Sequence, residues 1–363
     1  MKRLWFNLER IKAGIPLALL VCALTACAWL PTPQQKKQVI PVYPPPPAQP
    51  RFTYERTLRS SIDVVKEDAT ARFRRLATGE ERRGEGLAKP FDVVARGGRV
   101  YVGDTVRRAV IVFDIRNGKF FEIGKEEPGK LYMPLGLAID AAGNLYVCDG
   151  TAKRVTVYDK TGKFLRAIGG SEYFHRPSGL AVDAAGTRVY VVDTGGVTSQ
   201  EHRVRVFDSH SGKHLLDIGK RGNGIGEFNL PREAVVAPNG LLYVVDGGNF
   251  RVQVFRQDGR FVRSFGAIGR RPGQFSRPKG IAVDPHGNIY VVDAAFGNVQ
   301  MFTPEGQLLM SIGDRGARDG PGHYMLPAGI NVDETGRVYV VDQFYRKVDI
   351  YRPVTAKEAT NHK

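Results

Sequence analysis

The sequence predicts an all-β protein, a six-bladed β-propeller, and two observations carry that prediction. A pattern of the form Pro-x-Gly-(Ile/Leu)-Ala-Val-Asp, a short turn and then (Ile/Leu)-Tyr-Val-Val-Asp recurs six times at a period of roughly forty-five residues. No unit shows the 3.6-residue apolar periodicity of a helix. Repeats of this length, built from short strands, bury their faces only against neighbouring repeats, and six of them close a ring.

Each unit begins at a proline and places an aspartate at the end of its second strand. The prolines are Pro90, Pro134, Pro177, Pro231, Pro278 and Pro327. The aspartates are Asp104, Asp149, Asp193, Asp246, Asp293 and Asp342. One aspartate per unit at the same strand end predicts a structural acceptor for loop amides, because six identical catalytic sites are implausible.

The fifth unit shows the four strands of one blade most clearly. They are predicted at residues 278–284, 289–293, 298–302 and 307–312. Val, Ile, Tyr and Phe fill these runs, and Gly, Pro and Asn separate them, as in a packed antiparallel sheet.

The ring also needs a closing strand, because an open propeller exposes unpaired strand edges. The sixth unit has a third strand at residues 347–351, but Pro353 and a polar tail follow it. Upstream of the first unit, Arg72 to Leu76 match the fourth-strand pattern of residues 163–169. The domain prediction is therefore a propeller over 51–353, with its closing strand near 71–77 and repeats over about 90–351, followed by a polar tail at 354–363.

These repeats resemble the NHL repeat. The fourth unit, which reads DGGNFRVQVF over residues 246–255, is closest to that pattern, and the resemblance extends over about residues 71–351. It implies a six-bladed propeller. It implies no single function, because this scaffold hosts binding modules, sensor domains and a few enzymes.

The amino terminus predicts export. Four basic side chains precede an apolar run at residues 15–23, which is shorter than the roughly 18 residues of a membrane span, so we predict a signal peptide over 1–26. A short transmembrane anchor is the alternative. Leu-Thr-Ala-Cys at residues 24–27 resembles a bacterial lipobox, which implies that Cys27 carries a lipid. Ala28, where an Asp would imply retention at the inner membrane, favours the outer membrane, with the propeller in the periplasm or at the cell surface.

Residues 27–50 form the predicted stalk between lipid and propeller. This segment is rich in Pro and Gln, and such a composition favours extended polyproline geometry over a buried core. Loss of Cys22 with the signal and acylation of Cys27 leave Cys148 without a disulfide partner. Cys148 aligns with valines of other units, so we expect a small buried side chain.

The charge balance is strongly basic. The formal net charge is +16, and removal of residues 1–26, which carry a net +3, leaves +13. In a cytosolic chain this excess would point to nucleic acid, but export excludes that partner. An envelope protein or an anionic glycan remains as the predicted partner, and a merely soluble basic surface is the alternative.

Strand direction alternates in each unit. The long linkers before the prolines and the connections between second and third strands therefore share one face, called here the loop-rich face, and the short turns share the opposite, short-turn face. Recognition normally resides on variable loops of a rigid scaffold. The candidate interaction residues on the loop-rich face are Arg221, Phe250, Phe296, Phe344 and Tyr345. Packing of the loops is the alternative role for each of them.

Asp92, Arg232 and Glu233 are the candidate binding residues at the mouth of the central channel. Four units have Gly at this position of the first strand, whereas the first and fourth units have these acids, and Arg232 precedes Glu233. Opposed units place the two carboxylates across the channel mouth, where they could hold a divalent cation or act as an acid and a base. Pairing of each carboxylate with a nearby Arg such as Arg232 is the alternative.

Two enzyme classes on related propellers set the remaining expectations. The amidating lyase type of NHL protein carries axial histidines that hold zinc, and gluconolactonase-like propellers carry axial acidic and Asn ligands for a metal. None of the seven histidines here falls at an axial first-strand position, and Asp92 and Glu233 are few ligands for a metal. We therefore predict no catalytic residue and no cofactor beyond a possible divalent cation. The predicted function is a scaffold or ligand-binding module, with a metal-dependent lactonase- or lyase-like enzyme as the alternative.

Overall fold

A computed structural model describes residues 40–355 and Glu358. The predicted signal peptide, Cys27 and residues 27–39 of the stalk lie outside these described residues, as does most of the tail. No helix within the described range combines the length and apolar character needed to cross a bilayer.

Six antiparallel sheets form the blades, and each has its first strand at the axis. Blade 1 contains β3 (Pro90–Arg96), β4 (Arg99–Asp104), β5 (Ala109–Asp114) and β6 (Lys119–Ile123). Blade 2 contains β7 (Pro134–Ile139), β8 (Leu145–Asp149), β9 (Arg154–Tyr158) and β10 (Phe164–Ile168). Blade 3 contains β11 (Pro177–Val182), β12 (Arg188–Asp193), β13 (Arg203–Asp208) and β14 (His214–Ile218).

The remaining blades repeat the order, which confirms the prediction of an all-β six-bladed propeller. Blade 4 contains β15 (Pro231–Val236), β16 (Leu242–Asp246), β17 (Arg251–Phe255) and β18 (Phe261–Phe265). Blade 5 contains β19 (Pro278–Val283), β20 (Ile289–Asp293), β21 (Asn298–Phe302) and β22 (Leu308–Ile312). Blade 6 contains β25 (Pro327–Val332), β26 (Val338–Asp342), β27 (Lys347–Pro353), β2 (Phe52–Leu58) and the short outer β1 (Val42–Tyr43).

A few short elements lie outside the blades. β23 (Asp314–Arg315) pairs in parallel with β24 (His323–Tyr324) in the linker before blade 6. Single 3-10 turns occupy Ser61–Asp63 and Gly247–Asn249, and α1 spans Ala69–Thr78.

The closing strand differs from the prediction. β2 pairs antiparallel with β27, so Phe52–Leu58 and not residues 71–77 complete blade 6. Residues 71–77 lie in α1, where the Asp68 side chain accepts from the Ala71 amide and Gly79 ends the helix in the left-handed region. The prediction was wrong because the spacing of Phe73 and Leu76 suits one face of a helix and not the alternation of a strand.

The predicted stalk also ends earlier than residue 50. Val42 and Tyr43 pair with Thr53 and Phe52, and the Tyr43 ring lies edge-on against Tyr351 at 5.6 Å between centroids. The last part of residues 27–50 is therefore a fifth strand of blade 6. Composition alone does not predict this strand, because it depends on the contact of Tyr43 with Tyr351 of the sheet.

A buried polar network reinforces the closure. Lys347 and Asp349 are fully buried on β27, and Lys347 Nζ donates to Asp349 Oδ2 at 2.8 Å and to the Gly320 carbonyl at 2.6 Å. Thr57 of β2 donates to the other oxygen of Asp349 at 2.6 Å. Both buried charges thus have partners, which low-dielectric burial requires.

The apolar core lies between adjacent blades. Tyr146 and Cys148 of blade 2, for example, share one cluster with Val191 and Phe207 of blade 3. Cys148 is a fully buried free thiol whose pKa is raised by burial, as expected for a small core side chain. Burial of a Val, Leu or Phe contributes about 1.5–3 kcal/mol, so shared cores hold the blades in a fixed ring.

Candidate functional site

The second-strand aspartates anchor the loop-rich face, as predicted. All six are fully buried, and each accepts hydrogen bonds from the backbone of the linker that precedes its own blade. Asp193, for example, accepts from the amides of His175 and Arg176 at 3.0 and 2.7 Å. These hydrogen bonds fix the backbone of each linker at the point where the first strand of the blade begins.

Aromatic residues of the linkers pack the loops down. Phe174, Phe228, Phe275 and Tyr324 occupy equivalent positions and are buried to 1% or less exposure. Phe228 lies directly over Gly219, which has a φ of 78° and leaves no room for a Cβ. These aromatics therefore belong to the core and do not contribute to a contact surface.

The candidate interaction residues divide between exposure and packing. Phe344 is 61% exposed, whereas Phe250, Phe296, Arg221 and Tyr345 are half-buried. The Tyr345 hydroxyl donates to the Gly316 carbonyl at 2.8 Å, and Arg221 donates to the Ser199 carbonyl at 2.8 Å. Arg221 and Tyr345 thus hold neighbouring loops, and Phe344 is the candidate most available to a partner.

Several exposed apolar side chains on the same face were missed from the sequence. They lie in the linkers and in the connections between second and third strands, and they are Val106, Val197, Ile225 and Ile268. Aromatics and arginines are the residue types expected at a contact surface, so these aliphatic side chains received no weight. Their position in the loops between predicted strands was the available signal.

The two axial carboxylates are bound by backbone amides of neighbouring blades. Asp92 is 5% exposed and accepts from the Leu137 amide at 2.8 Å. Glu233 is half-buried and accepts from the Leu180 amide at 2.8 Å and from its own neighbour Ala234 at 3.1 Å. Within residues 40–355 neither carboxylate forms an ion pair with Arg232, and backbone amides are their hydrogen-bond partners.

Glycine on the adjacent blades makes room for both acids. A Cβ on Gly329 would overlap the Asp92 side chain, and a Cβ on Gly179 would overlap that of Glu233. Glycine at this position of blades 3 and 6 therefore has a steric cause, since any larger residue would collide with the acid of the next blade.

Burial and mutual repulsion disfavour ionisation of both acids. Burial raises the pKa of Asp92 from 3.8 to about 7, against hydrogen bonds from Leu137 and Val93 that lower it. Burial and then the negative charge of Asp92 raise the pKa of Glu233 well above its ordinary value. The raised pKa values favour the protonated form of the two acids over the form in which both are ionised.

A central cavity of about 570 Å³ begins at this pair. It extends along the first strands of all six blades to turns on the short-turn face, where Pro238, Pro285 and Glu334 line it. Asp92 and Glu233 lie at its inner end, and Arg232 is not among its lining residues. The three candidates expected together at the channel mouth are therefore separated, with Arg232 on the side of the loop-rich face.

The ligand set for a metal is small. Across the residues that the structure describes, no group of three or more His, Cys, Asp or Glu side chains is arranged to hold a metal ion. Asp92 and Glu233 offer two carboxylates at the inner end of the cavity.

Comparison with known proteins gives the same architecture. Residues 233–299 and 286–355 match a family model described as a 6-bladed beta-propeller. The rat peptidylglycine alpha-amidating monooxygenase is 31% identical over 180 residues, which are 45% of this chain and 18% of that protein. The chain therefore spans less than a fifth of the length of this curated relative.

Solved structures show the fold at lower identity. A gluconolactonase from Xanthomonas campestris is 16% identical with a TM-score of 0.55, over 83% of this chain and 98% of that chain. Virginiamycin B lyase from Staphylococcus aureus is 13% identical with a TM-score of 0.53, over 74% of this chain and 96% of that chain. At these identities the likeness concerns the fold alone.

Proposed function

We propose that this protein is an exported, lipid-anchored propeller that binds a protein partner of the cell envelope through its loop-rich face. The observation that carries the proposal is the set of exposed apolar side chains on that face, with Phe344 at 61%, Ile225 at 74% and Ile268 at 67% exposure. Apolar side chains that a folded protein leaves in water at one face are typical of interaction surfaces.

Rigid loops make this surface suitable for recognition. The buried aspartates fix the backbone before each first strand, and aromatics such as Phe228 and Phe275 pin the linkers from below. Binding then orders few additional groups, which reduces the entropic cost of association. The basic excess of the chain adds attraction to an acidic protein surface or, as another outcome of the test, to an anionic glycan.

The anchor is a separate part of the proposal and rests on residues 24–27. We infer attachment through Cys27, with the outer membrane favoured by Ala28. Mass spectrometry of the purified protein tests this: a diacylated or triacylated amino-terminal Cys27 is expected, and Cys27→Ser should leave the protein unlipidated. An intact signal peptide on the wild-type protein would contradict the anchor.

Crosslinking in intact cells tests the binding face. Phe344→Ser and Ile225→Ser should reduce recovery of a specific crosslinked envelope protein, since both side chains are exposed and neither change should affect folding. Leu165→Ser and Leu215→Ser are matched controls, because these side chains are exposed on fourth strands and not on the loop-rich face. Equal recovery from all four variants would refute the assignment of the face.

A second candidate function is hydrolytic or lyase chemistry in the central cavity. It is favoured by the carboxylate pair with raised pKa values at the inner end of a cavity large enough for a small ligand. A Ca²⁺ or Zn²⁺ ion held by Asp92 and Glu233 would supply Lewis-acid chemistry there. Stoichiometric metal lost in Asp92→Ala and in Glu233→Ala would support this candidate, and crosslinking that survives chelation would support the binding role.

A further inference from the structure

A second charged cluster lies on the loop-rich side of the axis, and the site described above does not use it. Its members flank the prolines that begin three consecutive first strands: Arg176 before β11, Arg232 in β15, and Arg277 and Lys279 around Pro278 of β19. We call these four residues the basic rim. The three arginines are exposed and Lys279 is half-buried.

The basic rim has no anionic partner in the described part of the chain. Arginines elsewhere on the propeller commonly pair with acids, as Arg205 does with Asp217 at 3.0 Å and Arg251 with Asp246 at 2.8 Å. No ion pair or side-chain hydrogen bond involves any of the four basic-rim side chains within residues 40–355. The four cations at this mouth therefore repel one another without a direct ion pair to offset the repulsion.

Burial first, and then repulsion between the cations, lowers the pKa values of two members of the cluster, Lys279 and Arg232. Burial, Arg277 and Arg232 lower the pKa of Lys279 from 10.5 to about 8, and Asp342 is the acid that opposes this shift. Burial, Arg176 and Arg277 lower the pKa of Arg232. A bound anion would offset the repulsion among these cations, so the mouth of the channel favours binding of an anion.

The framework of the rim is fixed. Asp193 and Asp293 hold the backbone amides of Arg176 and Arg277 at 2.7 and 3.0 Å. The Arg232 side chain lies over Gly247, where a Cβ would come within 3.2 Å of its Nε. The backbone that carries these side chains is thus fixed, while their charged groups are free to meet a ligand. Guanidinium groups bind planar or tetrahedral oxyanions through paired hydrogen bonds, and a multiply charged anion matches four cations better than a single carboxylate.

We propose that the basic rim is a binding site for a phosphate group, supplied either as free phosphate or by a phosphorylated sugar. The proposal goes beyond the proposed function, because it assigns to the same face a ligand group that binding of a protein partner does not require. Phe91 and Leu135 follow the prolines of blades 1 and 2 on the other side of the mouth, so the rest of a ligand would meet an apolar wall there.

Titration of the full-length protein with inorganic phosphate at pH 7 and constant ionic strength tests the proposal, with affinity measured by calorimetry. Saturable binding is expected, and Lys279→Met or Arg232→Gln should weaken it about tenfold or more, the usual effect of losing a charged hydrogen bond. Lys160→Met is the matched control, since it removes the same charge from an exposed turn on the short-turn face. Equal affinity in Lys279→Met and Lys160→Met would overturn the site.

Further arms identify the source and separate the two proposals. Tighter binding of glucose 1-phosphate than of inorganic phosphate would assign the site to a phosphorylated sugar, and equal affinity would assign it to free phosphate. Saturation by acetate at the same concentrations as phosphate would overturn the preference for phosphate. Loss of the crosslinked partner in Phe344→Ser with unchanged phosphate affinity would show that the protein-binding surface and the phosphate site are independent.

Discussion

The Asp92 and Glu233 pair makes the stability of this propeller depend on pH in an unusual direction. Most folded proteins gain stability as carboxylates ionise, because the native state lowers the pKa values of those groups. Here burial raises the pKa of Asp92 from 3.8 to about 7. The native protein therefore binds this proton more tightly than the unfolded chain does. The contribution is full below pH 3.8 and is lost as pH rises to about 7.

The magnitude follows from the size of the shift. About three pKa units correspond to about 4 kcal/mol at 1.36 kcal/mol per unit. Asp92→Asn keeps an oxygen that accepts from the Leu137 amide and removes the titration. We expect the variant to match the wild type near pH 4 and to be more stable by up to about 4 kcal/mol at pH 8. For a domain of this length that corresponds to roughly 6 °C in Tm.

Urea unfolding and thermal unfolding between pH 4 and pH 9 measure the difference. Glu233→Gln should behave in the same direction, and the double variant should gain less than the sum because each change removes the same repulsion. Asp258→Asn is the control with the opposite sign, since a backbone hydrogen bond from Arg260 lowers the pKa of Asp258. A difference between Asp92→Asn and wild type that does not change with pH would refute the reasoning.

Three further predictions concern the framework. Asp349→Ala should destabilise by about 3 kcal/mol in urea unfolding, because it removes the nearer carboxylate, at 2.8 Å, from the buried ammonium of Lys347 and leaves only Asp319 at 3.4 Å. Asp349→Leu combined with Lys347→Met should recover most of that loss, and no recovery would show that packing and not charge is responsible. Deletion of residues through Leu58 should abolish cooperative unfolding monitored by circular dichroism, because it removes β2. Replacement of Ala69–Thr78 by a Gly-Ser linker of equal length should shift Tm little, since α1 has no buried residue. A larger effect of the linker replacement than of the deletion would contradict closure of the ring by β2. Cys148 should resist a thiol reagent in the native state and react fully in urea, and Cys148→Val should cost less than about 1.5 kcal/mol.

Most of the fold could be predicted from the sixfold sequence repeat. Alternating Val, Ile and Tyr with a proline at the start and an aspartate at the second strand end determined six blades and the role of those aspartates, because each blade repeats the same local chemistry. The closing strand could not be predicted in the same way, because it occurs once and its alternation of apolar and polar residues is interrupted. β2 contains a bulge between Tyr54 and Arg56 and carries charged residues on its outer face. A single unrepeated strand offers no internal comparison.

The candidate site was predictable in part for a similar reason. Departures from a repeat are visible, so Asp92 and Glu233 stood out where four units have Gly. Their burial, the cavity beyond them and the separation of Arg232 from both depend on which side of the axis each side chain occupies, which spacing does not reveal. The basic rim was missed because Arg176, Arg277 and Lys279 are unremarkable as single residues and form a cluster only when three blades meet.

Pairing of Phe52–Leu58 with Lys347–Pro353 sets the order of assembly. The two strands are separated by nearly the whole propeller, so the last sheet cannot be completed until blades 1 to 5 and the third strand of blade 6 have all been synthesised. Until then each nascent intermediate carries an unsatisfied edge at both extremities. Ring completion is thus an end-to-end event, and any truncation before residue 347 should leave a chain prone to pairing with other molecules through those edges.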